Sequence, residues 1–166
     1  MAVIAIAFAI FRSFSGGTPT PTTGGSAYVS RVVDGDTLKL STGERVRLIG
    51  IDTPEVHESA KLDRDVQRSG RDRETIIALG QKSSAFTRNL CEGKTVRLVF
   101  DVEKRDRYGR LLAYVYLEDG TFVNAKIVEE GYGTVMTVPP NVKYTTLFTE
   151  LQQKAREEGR GLWSKD

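Results

Sequence analysis

The chain has 166 residues, enough for one domain with a buried core and a short appendage. Its single cysteine excludes an intrachain disulfide framework and a multi-cysteine zinc site, and its single histidine excludes mechanisms that need two histidines. A formal net charge of only +2 excludes strong binding of nucleic acid through bulk charge, so any phosphate chemistry must depend on a few placed groups.

The first 26 residues differ in composition from the rest. Residues 1–12 are an apolar run closed by Arg12, about half the length that a membrane-spanning helix needs. Three interpretations stay open: a secretory signal that lacks a basic start, the second half of a longer signal-anchor that begins upstream of Met1, or an element of the core. We favour an export or anchor segment, which predicts a secreted or membrane-anchored protein. Residues 13–26 are uncharged and rich in Thr, Gly, Pro and Ser, which predicts a flexible linker before a domain at 27–166.

Alternating or continuous apolar patterns predict five strands in the domain. They cover Tyr28–Asp34, Thr37–Leu40, Arg45–Ile51, Thr95–Phe100 and Leu111–Leu117.

Apolar residues at steps of three and four predict three helices. They lie at 76–90, at Val123–Glu130 and around 147–155. Because strands and helices do not alternate regularly, the pattern favours an α+β fold over a doubly wound sheet. Between Pro54 and the first long helix, Glu55–Glu74 contains six acids, five bases and few apolar residues, which predicts a solvated loop or an extended helix start.

Acidic and basic residues cluster where these strands end. Asp36 and Asp52 would lie at adjacent strand ends, where two carboxylates suit a hard divalent cation. Glu55 is placed to accept a proton, and Arg47 and Arg110, from different strands, suit bidentate binding of phosphoryl oxygens. Because the chain has one histidine, the residues permit phosphodiester hydrolysis by a mechanism that uses carboxylates, arginines and a metal ion.

Five motifs in a fixed order give this chain a resemblance to a known family. VVDGDTLKL, RLIGIDTPE, DRYGRLLAYVY, FVNAKIVEEGYG and GLWSKD together resemble the staphylococcal nuclease (thermonuclease) family, from about Tyr28 to Asp166. The resemblance implies an OB-fold, a five-stranded β-barrel with about three α-helices.

The resemblance also implies a calcium site. Asp36 and Asp52 match the family's calcium carboxylates, and Thr53 matches the residue that offers its backbone carbonyl. Asp34 matches an acid close to the metal but not directly bound to it. The implied cofactor is therefore Ca²⁺.

Catalytic and substrate-binding residues carry over in the same way. Arg47 and Arg110 match the family's two phosphate-binding arginines, and Glu55 matches the glutamate described as general base. Tyr108 and Arg107 match positions near the nucleotide's terminal phosphate. The implied activity is hydrolysis of single- and double-stranded DNA and of RNA by a monomer, leaving 3′-phosphate and 5′-hydroxyl ends.

Two features depart from the staphylococcal pattern. Thr137-Val138-Pro139-Pro140 replaces the aromatic pair that flanks the base there, and the 55–74 segment is longer. The alternative function is a non-catalytic OB-fold module that binds single-stranded nucleic acid or a protein partner. Retention of every acid and arginine at the key positions argues against that alternative.

Overall fold

The computed structural model describes residues 22–57 and 59–164. Strands in this part of the chain are β1 (Thr22–Asp34), β2 (Thr37–Leu40), β3 (Arg45–Leu48), β4 (Ile51–Asp52), β5 (Thr95–Phe100), β6 (Leu111–Leu117) and β7 (Thr134–Val135). Five of them form a closed barrel in the order β1-β2-β3-β6-β5, and β4 pairs with β7 in a separate ribbon. The predicted α+β barrel is confirmed.

Barrel closure depends on one parallel ladder. β3 and β6 run parallel, with Val46 opposite Leu111 and Arg47 opposite Leu112, whereas the other barrel pairs are antiparallel. Inward-facing apolar side chains from all five strands fill the interior, because alternate residues of a strand point to the same face. The ladder brings the start of β6, and therefore Arg110, beside β3.

Helices surround the barrel. They are α1 (Ala60–Ser69), α2 (Arg73–Cys91), α3 (Val123–Glu129) and α4 (Thr145–Glu157), with a short 3₁₀ helix at Gly161–Trp163.

The described residues form four α-helices, whereas about three were predicted. The additional helix is α1, which forms within the segment predicted as a solvated loop or an extended helix start. Leu62 is its only fully buried residue, so its apolar pattern is weak. The Ser59 side chain caps its first turn, and Gly70 ends it in the left-handed conformation.

The predicted strand at Arg45–Ile51 is interrupted. β3 ends at Leu48, a turn covers Ile49 and Gly50, and β4 starts at Ile51. Gly50 has a φ of +82°, and a side chain there would collide with the Phe148 ring. The turn therefore depends on glycine and redirects the chain toward Asp52.

β1 begins earlier than the predicted domain boundary. Thr22 and Thr23 pair with Phe100 and Val99 of β5, so the predicted 13–26 linker extends too far. Backbone ladder bonds do not require apolar side chains, and Gly24 lets the Phe100 ring approach the backbone. The predicted export or anchor segment at 1–12 lies outside the described residues.

Among the helices in 22–57 and 59–164, none has the length and apolar character that crossing a membrane requires.

Candidate active site

One end of the barrel gathers most of the predicted site residues around a single cavity of about 360 Å³. Asp34 ends β1, Asp36 lies in the turn to β2, and Asp52 ends β4. The polar and charged side chains that line the cavity are Asp34, Asp36, Thr37, Arg47, Asp52, Glu55 and Arg110, with Lys61, Arg64, Asp65 and Arg68 from α1.

Asp36 is buried and fully hydrogen-bonded. One carboxylate oxygen accepts from the backbone N–H of Thr53 (3.0 Å) and from its hydroxyl (3.1 Å), and the other accepts from the Thr37 hydroxyl (3.0 Å). Burial alone would raise the pKa of Asp36, but the Arg47 guanidinium, Lys61 and the Thr53 N–H together lower it. Asp36 is therefore an ionised carboxylate inside the fold.

Arg47 connects the two predicted metal carboxylates. Its Nη2 lies 3.0 Å from Asp52 Oδ1 and 3.2 Å from Asp36 Oδ2. Its Nη1 donates to the carbonyl oxygens of Leu48 (2.9 Å) and Ile51 (2.8 Å), on either side of the glycine turn. Only 12% of the side chain is exposed. Arg47 thus holds the β3–β4 turn and both carboxylates together.

Arg110 is held differently and keeps donors available. Its Nε donates to Asp106 Oδ2 (2.7 Å), while Asp106 Oδ1 accepts the backbone N–H groups of Tyr108 (2.9 Å) and Arg110 (3.0 Å). Within the described residues its two Nη atoms make no hydrogen bond or ion pair, and 30% of the side chain is exposed. Arg110 therefore presents its terminal N–H groups to the cavity.

Asp106 is a residue whose role the sequence analysis missed. Partial burial would raise its pKa, but hydrogen bonds from the Arg110 side chain and backbone lower it. The available sequence signal was the i, i+4 spacing of Asp106 and Arg110 within the DRYGR motif.

Glu55 and Asp34 line the same cavity but differ in their hydrogen bonds. Glu55 Oε1 accepts the backbone N–H groups of Val56 (3.0 Å) and His57 (3.2 Å), which fixes the carboxylate beside the helix α1 side of the cavity. Asp34 Oδ1 is buried and has no hydrogen-bond partner in the described part of the chain. Burial, then the charges of Glu55 and Asp36, raise the pKa of Asp34. An orphaned carboxylate oxygen of this kind is available to a ligand.

Lys61 of α1 is the second residue that the sequence analysis missed. Its Nζ lies 2.5 Å from the Thr53 carbonyl oxygen and 3.1 Å from Asp52 Oδ1. Burial would lower the pKa of Lys61, but the charges of Asp36 and Asp52 raise it, so the ammonium form is retained.

The donor set at this end of the barrel fits a hard cation. Within 22–57 and 59–164 no group of three or more His, Cys, Asp or Glu side chains is close enough to hold a metal ion. The predicted set needs only two carboxylates and a carbonyl, and oxygen donors are those that calcium prefers. The Lys61 ammonium already binds to two of these oxygens, and the orphaned Asp34 oxygen lies alongside. Asp36, Asp52 and Thr53 therefore suit a divalent cation chemically.

Tyr108 and Arg107 lie outside the main cavity. Tyr108 is 67% exposed, and its hydroxyl accepts from Arg107 Nη2 (2.6 Å). The Arg107 and Arg110 guanidinium carbons lie 4.8 and 5.4 Å from the centre of its ring. The turn therefore forms a cationic and aromatic rim next to Arg110.

A second cavity of about 340 Å³ adjoins the first, and Arg47 and Arg110 line both. Its outer wall includes Met136 and Val138, which are exposed aliphatic side chains in the segment where the family's aromatic pair is missing. The segment that replaces the aromatic pair therefore offers an apolar surface without aromatic rings.

Cys91 takes no part in this site. It is fully buried, and burial raises the pKa of its thiol to about 12. A nucleophilic cysteine mechanism is thereby excluded, since the thiolate is the reactive form.

Comparison with known proteins supports the motif-based prediction. Residues 45–165 match the family described as staphylococcal nuclease homologue. A thermonuclease from Staphylococcus intermedius is 38% identical over 98% of this chain and 93% of its own length. One from Staphylococcus hyicus is 35% identical over 82% and 74%, and the endonuclease YncB of Bacillus subtilis (strain 168) is 35% identical over 82% and 61%. With the closed barrel and the motifs in register, these matches show that the chain belongs to the staphylococcal nuclease family.

Proposed function

We propose that this protein is a calcium-dependent nuclease that hydrolyses DNA and RNA to 3′-phosphate and 5′-hydroxyl ends. Family membership, with relatives named thermonuclease and endonuclease, supports a hydrolytic nuclease. The observation that carries the proposal is a single cavity in which five carboxylates meet Arg110, whose Nη atoms have no partner within the described residues. Phosphodiester hydrolysis needs such an arrangement, with acids for a cation and a proton, and an arginine for the phosphate.

Asp36, Asp52 and the Thr53 carbonyl would hold the calcium ion, with Asp34 beside it. When bound, the ion supplies positive charge that stabilises the phosphoryl oxygens as they gain negative charge. Asp36 is already ionised and fixed by the Thr53 N–H, so this ligand needs little reorganisation.

Glu55 is placed to accept the proton of the attacking water. Its Oε1 is held by the Val56 and His57 backbone N–H groups, and within the described residues its other oxygen has no hydrogen bond, while the side chain lines the cavity. A fixed carboxylate with one uncommitted oxygen meets the geometric requirement for a general base.

Arg110 acts mainly on the transition state. Its Nε–Asp106 bond fixes the guanidinium plane, and both Nη atoms are left to bind two oxygens of the phosphoryl group. Arg47 is more deeply held, and binding phosphate requires it to exchange part of its contact with Asp36 or Asp52. The two arginines therefore share the phosphate unequally, with Arg110 the more readily available.

The adjoining surfaces suit the rest of a nucleotide chain. Tyr108 and Arg107 form a rim that suits a terminal phosphate, and the Met136 and Val138 surface offers a base apolar contact without aromatic stacking. Such contacts do not depend on base identity, which fits cleavage at more than one base sequence.

For location, we propose a monomer that is secreted or anchored to a membrane through residues 1–12. The composition of that apolar segment supports the proposal.

The deciding experiment incubates the purified full chain with single-stranded DNA, double-stranded DNA and RNA, with calcium and then with excess chelator. We expect cleavage that requires calcium and stops on chelation. Products should accept a 5′-phosphate from a kinase without prior phosphatase treatment and should block polymerase extension at the 3′ end. Binding of DNA without any cleavage would overturn the proposal and favour the non-catalytic module.

Three variants test the assigned roles. Arg110→Lys keeps the charge but loses the planar fork, so kcat should fall by roughly two orders of magnitude with little change in KM. Glu55→Gln should also lower kcat while calcium still binds. Asp36→Asn should instead raise the calcium concentration at half-maximal activity, because the ion loses an anionic ligand. Wild-type kinetics in all three would refute the assignment.

A further inference from the structure

Lys61 lies on the oxygens that the proposed function assigns to the metal. Its Nζ is 2.5 Å from the Thr53 carbonyl oxygen and 3.1 Å from Asp52 Oδ1. Its side chain is 28% exposed, so the ion pair is partly withdrawn from water. The Lys61–Asp52 ion pair is therefore intermediate between an exposed and a fully buried salt bridge.

The fold fixes the lysine in that place. Lys61 is the second residue of α1, two residues after the Ser59 cap, and the next residue, Leu62, is fully buried. The cap and the buried leucine set the start and the rotation of the helix. Lys61 therefore projects toward the strand end that carries Asp52 and Thr53, and not freely into solvent.

A divalent cation and this ammonium group compete for the same space. Calcium binds oxygen at 2.3–2.6 Å, so an ion on the Thr53 carbonyl would lie at most about 5 Å from Nζ. At that distance the repulsion between the two cations is strong in a partly buried site. Entry of the metal therefore requires the lysine side chain to leave Asp52 and Thr53.

We infer that Lys61 is an internal competitor of the metal and sets the calcium concentration at which the site fills. The inference rests on the proposed metal-dependent function and deepens it. In the metal-free protein, the ammonium group compensates the charge of Asp52 and holds the Thr53 carbonyl in place. In the loaded protein it is displaced, so part of the metal's binding energy is used to move it.

Calorimetric titration of calcium into the full-length chain, without nucleic acid, tests the inference independently of catalysis. Lys61→Met keeps the length of the side chain and removes the charge, and the calcium Kd should fall roughly ten-fold or more. Arg64→Met is the matched control, because Arg64 lines the same cavity and contacts neither oxygen. The calcium Kd of Arg64→Met should change less than about three-fold, because this variant loses only a positive charge farther from the calcium ligands.

Thermal unfolding provides the second measurement. Without calcium, Lys61→Met should have a lower Tm than the wild type, and calcium should raise its Tm by more. If Lys61→Met does not fold, Lys61→Leu is used in the same titration with the same expectation, because it also removes the charge and adds no oxygen that could bind calcium.

Each outcome decides between the inference and the proposed function. Equal calcium affinity in the wild type and the Lys61 variant overturns the inference, even if the wild type cleaves DNA with calcium. An equal increase in calcium affinity in Lys61→Met and Arg64→Met also overturns the inference. Loss of any nearby positive charge would then explain the increase. Absence of calcium binding by every protein overturns the inference and the proposed metal dependence together.

Discussion

Both oxygens of Asp106 are used on the turn that carries Arg110. One accepts the two backbone N–H groups that shape the turn, and the other accepts Arg110 Nε. The side chain therefore links the backbone geometry of the turn to the orientation of the guanidinium plane. We regard Asp106 as a positioning residue for Arg110.

Asp106→Asn tests this role through kinetics. The asparagine keeps one accepting oxygen, but its NH2 group cannot accept a bond, and the charge-assisted bond to Nε is lost or weakened, so Arg110 gains rotational freedom. We expect kcat to fall about ten-fold with KM nearly unchanged, since misorientation affects the transition state most. Glu44→Gln serves as control, because it breaks the exposed Arg105–Glu44 ion pair, and Glu44 does not line the cavity that holds Asp36 and Asp52. Equal kcat in the two variants would show that the Asp106 bond has no catalytic consequence.

The same residue should appear in the pH dependence of stability. The folded pKa of Asp106 lies below 3.8, so its ionised form contributes stability that is complete above pH 3.8. That contribution is lost as pH falls from 3.8 through the lower folded pKa. Denaturant midpoints from about pH 2 to about pH 7 should show Asp106→Asn less stable than wild type above 3.8, with the difference closing at lower pH. A constant difference over the whole range would contradict the assignment.

Among the helices and strands, α1 is the element that the sequence predicted least well, because its segment was assigned to a solvated loop or an extended helix start. Its ten residues offer one fully buried side chain, so hydrophobic periodicity could not separate a helix from a charged loop. The helix forms because Ser59 and Gly70 cap it and α2 supports it. Its cavity-facing side carries Lys61, Arg64, Asp65 and Arg68, at spacings of three and four. These four side chains, three basic and one acidic, extend the wall of the cavity that Arg47 and Arg110 also line.

We expect the exposed arginines of α1 to contact phosphates that flank the one being cleaved. Arg64→Gln and Arg68→Gln should each weaken binding of a single-stranded oligonucleotide measured by fluorescence anisotropy in chelator. Each should reduce the slope of log K against log salt by about 0.7, the value for one lost phosphate contact. Lys154→Gln on α4, which carries the same charge change outside the site cavity, should keep the wild-type slope. If both α1 variants keep the wild-type slope of log K against log salt, Arg64 and Arg68 do not contact phosphates.

At the scale of the whole molecule, the barrel was predictable because its strands carry strong local patterns. The predicted bounds of three of the five barrel strands coincide with the structure. Asp36 and Asp52 were predicted at adjacent strand ends and Arg47 within a strand, and all three line one cavity. The partners of these residues were not predictable, because Lys61 and Asp106 act through contacts that only the tertiary structure creates.

The earlier start of β1 changes which truncation should preserve the fold. Removing residues 1–21 leaves β1 whole, and we expect a Tm close to that of the full chain. Removing 1–26 deletes the segment that pairs with Arg97, Val99 and Phe100, and should lower the Tm by roughly 3–8 °C. Thermal unfolding of both truncations decides the boundary. Identical Tm values would show that residues 22–26 contribute nothing to stability.

The parallel β3–β6 ladder has a consequence for how activity arises. It joins Val46 to Leu111, far apart along the chain, and Arg47 and Arg110 flank this pairing. Contacts between distant segments form late, because the intervening chain must lose its freedom first. The two arginines therefore meet only when the barrel closes. An unfolded chain therefore lacks the proposed site, and we expect nuclease activity to appear only as the barrel closes during refolding.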